Sequence, residues 1–380
     1  MEIEQQSWRV DQVAAGMGTA ASSLSGPAEL VLVFGSTARL AATRFEALRE
    51  RWPEALIVGC STAGEIFGTG VYDDTLTTTA VHFAHTRVRL AKTHIGSAAE
   101  SRAAGEALAQ QLPPAGLCHV LILSDGLNVN GTDLVEGLGQ YLPAHVAVTG
   151  GLSGDGANFK HTLVIANEPA AEGAIAAIGF YGDALRIGYG SLGGWDPFGP
   201  DRLITRARGN VLFELDGQSA LALYKRYLAE HASGLPATGL LFPLELHETA
   251  GSKSPGLVRT ILSVNEDEQS MTFAGDMPEG VYARLMKANF DRLIDGASGA
   301  AQAAALGDGN AELAVLISCV GRKLVLAQRI DEEVESVREV LGSGAVLTGF
   351  YSYGEICPSR PTMKCELHNQ TMTITTFAEV

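Results

Sequence analysis

The side chains best suited to chemistry gather near one end of the 380-residue chain. His368 stands at the head of a predicted last strand, where a neutral imidazole can give a nitrogen to iron or tie a loop to the strand with both nitrogens. Cys357 offers a thiolate, and Pro358 after it stiffens the backbone and removes a donor. The pair reads as an iron ligand or as a plain turn cysteine. Cys357, Cys365 and His368 together supply three ligands without an evident fourth, so a structural zinc site is not expected. Tyr351, Tyr353, Met363 and Met372 are placed to form an apolar wall beside His368.

Two acidic residues, Glu65 and Glu355, occupy matching turns. Brought within ~5–10 Å of each other they would suit acid–base work, whereas separately each would accept bonds from the N–H groups of its own turn. Ser61 lies in Gly59-Cys60-Ser61-Thr62-Ala63-Gly64, which lacks the Gly-x-Ser-x-Gly spelling of a nucleophile elbow, and no His and Asp can be assigned to activate it. The run Gly188-Tyr189-Gly190-Ser191-Leu192-Gly193 spells Gly-x-Gly-x-x-Gly, but no helix opens at its third glycine to receive a phosphate. Trp195, in Trp195-Asp196-Pro197-Phe198-Gly199-Pro200, is a candidate lid or a hydrophobic corner. His161 is a reserve imidazole.

These residues sit on a unit that recurs. Glu29 to Phe34 (ELVLVF) leads through a helix-like stretch to ALIV and the turn Gly59 to Ile66. Leu313 to Ser318 (LAVLIS) leads through DEEVESVREVLG to AVLT and the turn Gly349 to Ile356. Without gaps, Gly59 falls on Gly349, Gly64 on Gly354 and Glu65 on Glu355. A looser middle copy runs from His119 through DLVEGLGQYL to Leu152-Ser153-Gly154-Asp155-Gly156. Each copy is followed by a β-rich run, starting at Thr75, His161 and Asn369. The unit therefore reads strand–helix–strand–turn–strand, a parallel crossover with an antiparallel neighbour. The expected fold is mixed α/β, with parallel and antiparallel strands, helices on the sheet faces and two domains. TLVIANE, GAIAAIGFYG, RIGYGSLGGW and RLITRARG read as one antiparallel meander. ALALYKRYLAE is predicted as a capped helix, and so is VYARLMKANFDRLI. A domain change is expected near residues 230–238, giving an extension at 1–28, a first domain at 29–232 and a second at 233–380.

Composition bounds the function. A net charge of −16 repels nucleic acid and anionic membranes. Hydrophobic residues make up 46% of the chain and charged ones 18%, the balance of a packed globular protein. The acidic, polar start Met1-Glu2-Ile3-Glu4-Gln5-Gln6 lacks the zones of a signal peptide, and no 18-residue apolar run is present. Cys60, Cys118 and Cys319 lie in apolar runs and read as reduced core thiols. A cytoplasmic location is expected.

The turn at 59–66, the turn at 349–356 and the run Leu367-His368-Asn369-Gln370-Thr371-Met372-Thr373 resemble the hallmarks of the FIST family, over about Leu30 to Phe377. The resemblance implies a sensory module of signal transduction rather than an enzyme. With no length left for an output domain, the signal is expected to pass to a separate protein. In its stand-alone form the chain resembles the NosP haem proteins. That likeness implies haem b, nitric-oxide sensing and a histidine kinase or cyclic-di-GMP enzyme as partner. His368 would then be the iron ligand, Cys357 its competitor, and Tyr351, Tyr353 and Met372 the cofactor wall. Glu65, Glu355, Ser61, Trp195 and His161 are the remaining pocket candidates. A haem-free receptor for a small polar, amino-acid-like metabolite is the first alternative, and an enzyme using Glu65 and Glu355 the second.

Overall fold

Strands that are predominantly apolar along their length must be covered on both faces, and Leu30–Gly35, Leu117–Ser124 and Leu313–Cys319 are of this kind. Each opens one copy of the repeat in the computed structural model, which describes residues 1–8, 22–252, 256–307, 310–359 and 364–380. Each runs parallel to the second strand of its copy, Leu56–Ser61, Ala147–Leu152 or Val346–Ser352. An antiparallel strand flanks it on the other side: Leu76–His82, Ala174–Tyr181 or Met372–Glu379. The chain is mixed α/β, and the predicted crossover is present in all three copies.

Three sheets result, of five, six and six strands. Each is extended by a strand borrowed from another copy. The first copy's hairpin, Glu65–Phe67 with Gly70–Tyr72, pairs with Val346–Ser352 of the third. The third copy's hairpin, Gly354–Pro358 with Cys365–His368, pairs with Ala147–Leu152 of the middle. Val164–Ala166 of the middle copy pairs with Leu56–Ser61 of the first. The exchange closes into a ring. The inner faces of the sheets share one core containing Phe34, Leu123, Ile178, Phe180, Ile317, Phe350 and Phe377. Phe34 meets Phe350 at 4.9 Å and Phe180 meets Phe377 at 5.2 Å, so aromatic residues from different copies touch at the centre. Burying each such side chain contributes about 1.5–3 kcal/mol.

A fourth sheet of nine strands is built from residues between Asp196 and Lys287, around its own core with helix Ala220–Leu228. The predicted helix is present there, and the Ser219 side chain accepts from Ala222 N at 3.1 Å.

Two local expectations are corrected. The four runs read as a meander go to four different sheets, as Val164–Ala166, Ala174–Tyr181, Leu185–Leu192 and Arg202–Arg208. Partners far along the chain, rather than their neighbours, select them. VYARLMKANFDRLI is not one helix. Tyr282–Lys287 is a strand burying Ala283 and Leu285 on alternate positions, and Asn289 caps the helix Phe290–Ala303. Among the described residues no helix is long and apolar enough to cross a membrane. Met363 lies outside the described residues.

Candidate functional site

The turns of the three copies meet. Ala63 N donates to Tyr351 O at 2.8 Å, Tyr353 N to Leu152 O at 3.2 Å and Gly154 N to Ser61 O at 2.9 Å, one link per pair of copies. A glycine precedes each link where two strands run closest. A Cβ on Gly59, Gly150 or Gly349 would lie 1.9, 1.9 or 1.8 Å from the carbonyl oxygen of Val33, Ile122 or Leu316.

Three residues beyond each glycine stands a hydroxyl: Thr62, Ser153 or Ser352. In the outer copies it donates to a buried carboxylate. Glu65 accepts from Thr62, from Thr75 N at 3.0 Å and from Thr75 Oγ1 at 2.7 Å. Glu355 accepts from Ser352 Oγ at 2.6 Å, Thr371 N at 3.2 Å and Thr371 Oγ1 at 3.0 Å. Burial raises both carboxyls, Glu355 to about 8, against the lowering effect of these bonds. Each carboxyl group thus latches its own turn to the following strand.

The middle copy abandons this latch. Gly156 replaces the acid, and Ala174, whose carbonyl takes the bond that Thr75 and Thr371 take in the other copies, replaces the threonine. Ser153 Oγ is fully buried and has no hydrogen-bond partner among the described residues. A carboxylate appears elsewhere, at Asp125, which accepts from Leu127 N at 2.8 Å, Asn128 N at 2.7 Å and Gly173 N at 2.9 Å. Asp125 thereby ties the loop after the first strand of this copy to the start of the strand Ala174–Tyr181, while the loop stays packed on the turn, where a Cβ on Gly126 would lie 1.9 Å from Ser153 O.

A cavity of about 270 Å³ opens beside that loop. Gly126, Leu127, Val129, Asn130, Leu152 and Phe159 bring the middle copy to it, and Tyr353 brings the third. Asn210, Leu262, Phe273, Ala274 and Gly275 close it from the nine-stranded sheet. Tyr353 fixes the floor: its hydroxyl accepts from Asp155 N at 2.9 Å and Phe159 N at 3.3 Å and donates to Gly156 O at 3.2 Å. Phe159 stacks on it at 4.4 Å with backbone φ of +53°, a left-handed conformation rare for an aromatic residue. Leu127, Phe159 and Leu262 are exposed at the mouth although large and apolar. Asn130 caps helix Gly131–Tyr141 through its side-chain oxygen and donates to Asp276 Oδ1 at 3.2 Å. Asn210 donates to Phe273 O at 2.8 Å.

Of the residues singled out in the sequence, Tyr353 alone lines this cavity. His368 Nε2 bonds Cys357 O at 3.0 Å, and burial lowers the imidazole to about 4. Tyr351 is fully buried, donating to Glu333 Oε2 at 2.7 Å, and Glu333 in turn holds the buried Arg322. Met372 and Cys357 are fully buried within the sheets, and Cys365 Sγ donates to Val148 O at 3.3 Å. Ser61 Oγ accepts from Leu163 N at 2.8 Å. Trp195 is buried with its indole N–H on Gln370 O at 2.9 Å, the geometry of an anchor rather than a lid. His161 is exposed and pairs with Glu172 at 2.8 Å. The five cysteines are unbridged.

The cavity does not fit haem. No His, Cys or Met is among the described residues lining it, and its volume is just below the range of about 300–1,000 Å³ typical of drug-sized ligand sites. No group of three or more metal-ligating side chains assembles among the described residues. The sequence reading missed Asn130, Asn210, Phe159, Phe273 and Gly275. The one signal pointing to them was the loss of the glutamate in the middle copy.

The family models for the FIST N domain and the FIST C domain match residues 29–218 and 220–358. No curated protein matches the sequence. Two solved structures align over nearly the whole chain. One is the cyanuric acid hydrolase of A. caulinodans, at 8% identity, with 99% of each chain covered and a TM-score of 0.38. The other is a cyanuric acid hydrolase described as an evolutionary innovation by structural concatenation, at 9% identity, with 100% of this chain and 99% of that one covered and a TM-score of 0.32. Likeness this weak carries nothing about activity.

Proposed function

For a chain that belongs to the FIST family through both of its domains, we propose that the cavity beside the middle repeat is the receptor site of a sensory module. FIST domains are associated with sensory signal transduction. The observation that carries the reading is a roomy, partly polar recess placed where one repeat gives up the latch its two relatives keep. Its walls join the three-sheet body to the nine-stranded sheet, so an occupant would bridge both and bias their arrangement. The ligand class is a small, polar, amino-acid-like metabolite: Phe159, Tyr353, Leu127 and Leu262 take its apolar part, and Asn130 and Asn210 take its polar part. The chain acts as a receptor without turnover, and a separate partner carries the signal onward.

A metabolite thermal-shift screen of the purified protein tests this reading. Ligands that raise the melting temperature should lose their effect in Leu127→Trp, which crowds the exposed mouth. Unchanged shifts in that variant would remove the cavity from consideration. The haem and nitric-oxide reading, with His368 on iron and a histidine kinase or cyclic-di-GMP enzyme as partner, is decided by an absorption spectrum. A Soret band that nitric oxide shifts, and that His368→Ala abolishes, would replace the present proposal.

A further inference from the structure

Two buried arginines among the described residues are held differently. Arg322 is paired with Glu333, and Tyr351 and Ser318 complete that carboxylate's bonds. Arg259 is 3% exposed, and among the described residues no carboxylate oxygen lies within 4.0 Å of it. Its donors go to backbone carbonyls: Nε to Asp276 O at 3.2 Å, and Nη1 to Val258 O at 3.3 Å and Leu367 O at 3.0 Å. Nη2 has no hydrogen-bond partner among the described residues. A guanidinium in this position is under-compensated, since carbonyl dipoles replace only part of the lost hydration. Burial accordingly pulls it down to about 10, opposed by the more distant Asp276 and Glu366.

This charge lies directly against the cavity wall. Gly275 is a lining residue, and a Cβ there would stand 2.8 Å from Arg259 Nε and 3.0 Å from its Cζ. The described lining residues include no Lys, Arg or His, and Arg259 is a buried cation directly behind the wall. Asp276, tied to Asn130 at 3.2 Å, flanks the same wall and disfavours a second negative group.

We propose that Arg259, acting across the Gly275 wall, sets the charge specificity of the cavity, which takes a small metabolite bearing a single carboxylate. The proposal rests on the receptor reading above. A carboxylate held on the cavity side of Gly275 would be attracted by the guanidinium behind it, an attraction that is screened little in a poorly hydrated site, and the ligand would supply the counter-charge that the fold withholds.

The test is ligand-observed NMR with carboxylates matched to their primary amides, benzoate with benzamide and phenylacetate with phenylacetamide. The wild-type protein should bind the acids at least about tenfold more tightly than the amides. Arg259→Met should bring each pair within about twofold by weakening the acid alone. If Arg259→Met fails to fold, Gly275→Ala, which pushes the pinned guanidinium aside, should narrow the same gap. The Arg259 Nε–H resonance should move with benzoate and stay fixed with benzamide. Equal binding of acids and amides, lost together in Leu127→Trp, would overturn the role of Arg259 and leave the receptor reading standing. An acid preference retained in both Arg259→Met and Gly275→Ala would overturn it as well. No binding by either series would bring down both.

Discussion

The outer repeats and the middle one solve the same local problem in opposite ways. At Thr62–Glu65 and Ser352–Glu355 a hydroxyl, a carboxyl and a following threonine interlock; none of these latch residues is among the described cavity lining, and of the two turns Tyr353 alone reaches it. In the middle copy Gly156 stands where the glutamate would, the Ser153 hydroxyl has no hydrogen-bond partner among the described residues, and six lining residues come from that copy, five of them on its loops and Leu152 at a strand end. A pseudo-symmetric scaffold thus gains a recess by relaxing one of its repeats. The satisfied copies hold the frame to which the relaxed one is attached.

The first way to break the comparison is to attack what all copies share. Gly59→Ala, Gly150→Ala and Gly349→Ala each force a Cβ to within 1.9 Å of a backbone oxygen, and the backbone cannot yield as a side-chain tip would. Each should cost about 3 kcal/mol or more by urea denaturation. A mild effect at Gly150 alone would show that the middle copy is not held in the same frame.

A smaller effect distinguishes the latches through pH. Burial pushes the Glu355 carboxyl up to about 8, well above the 4.5 of an ordinary glutamate. The native state therefore holds the extra proton, and stability should fall as pH rises from about 4.5 to about 8, by on the order of 5 kcal/mol. Glu355→Gln should flatten that slope, as followed by urea midpoints across the range. An unchanged slope in the variant would mean that the carboxyl is ionised in place.

The subtlest comparison uses the three hydroxyls. Thr62→Ala and Ser352→Ala remove a donor from a buried carboxyl and should cost about 1–2 kcal/mol, whereas Ser153→Ala should fall within about 0.5 kcal/mol of wild type. Equal losses at all three would show that Ser153 has a partner.

The repeat was legible because its signals are local: β-branched runs, a glycine where strands crowd, and an acid six residues after Gly59 and Gly349. The destinations of the strands were not. Val164–Ala166 and Ala174–Tyr181 look alike as apolar runs, yet one joins Leu56–Ser61 and the other Leu117–Ser124. That choice depends on surfaces more than 40 residues away. The helix reading over Tyr282–Lys287 failed because six residues with two buried alternate positions are too short to separate the two periods. The cavity was hidden for a related reason. Asn130, Phe159, Asn210 and Gly275 come from separate stretches, and none belongs to a motif. His368 and Cys357 drew attention by residue type, but the fold spends them on sheet contacts.

The ring of borrowed strands also dictates when the molecule can become whole. The edge that Glu65–Phe67 completes is presented by Val346–Ser352, almost the full length of the chain later. An emerging polypeptide must therefore carry its first hairpin unpartnered until the last repeat has been made. Long-range closure of this kind slows assembly, and it leaves the nascent chain most in need of shelter at the strand that eventually joins the first repeat to the last.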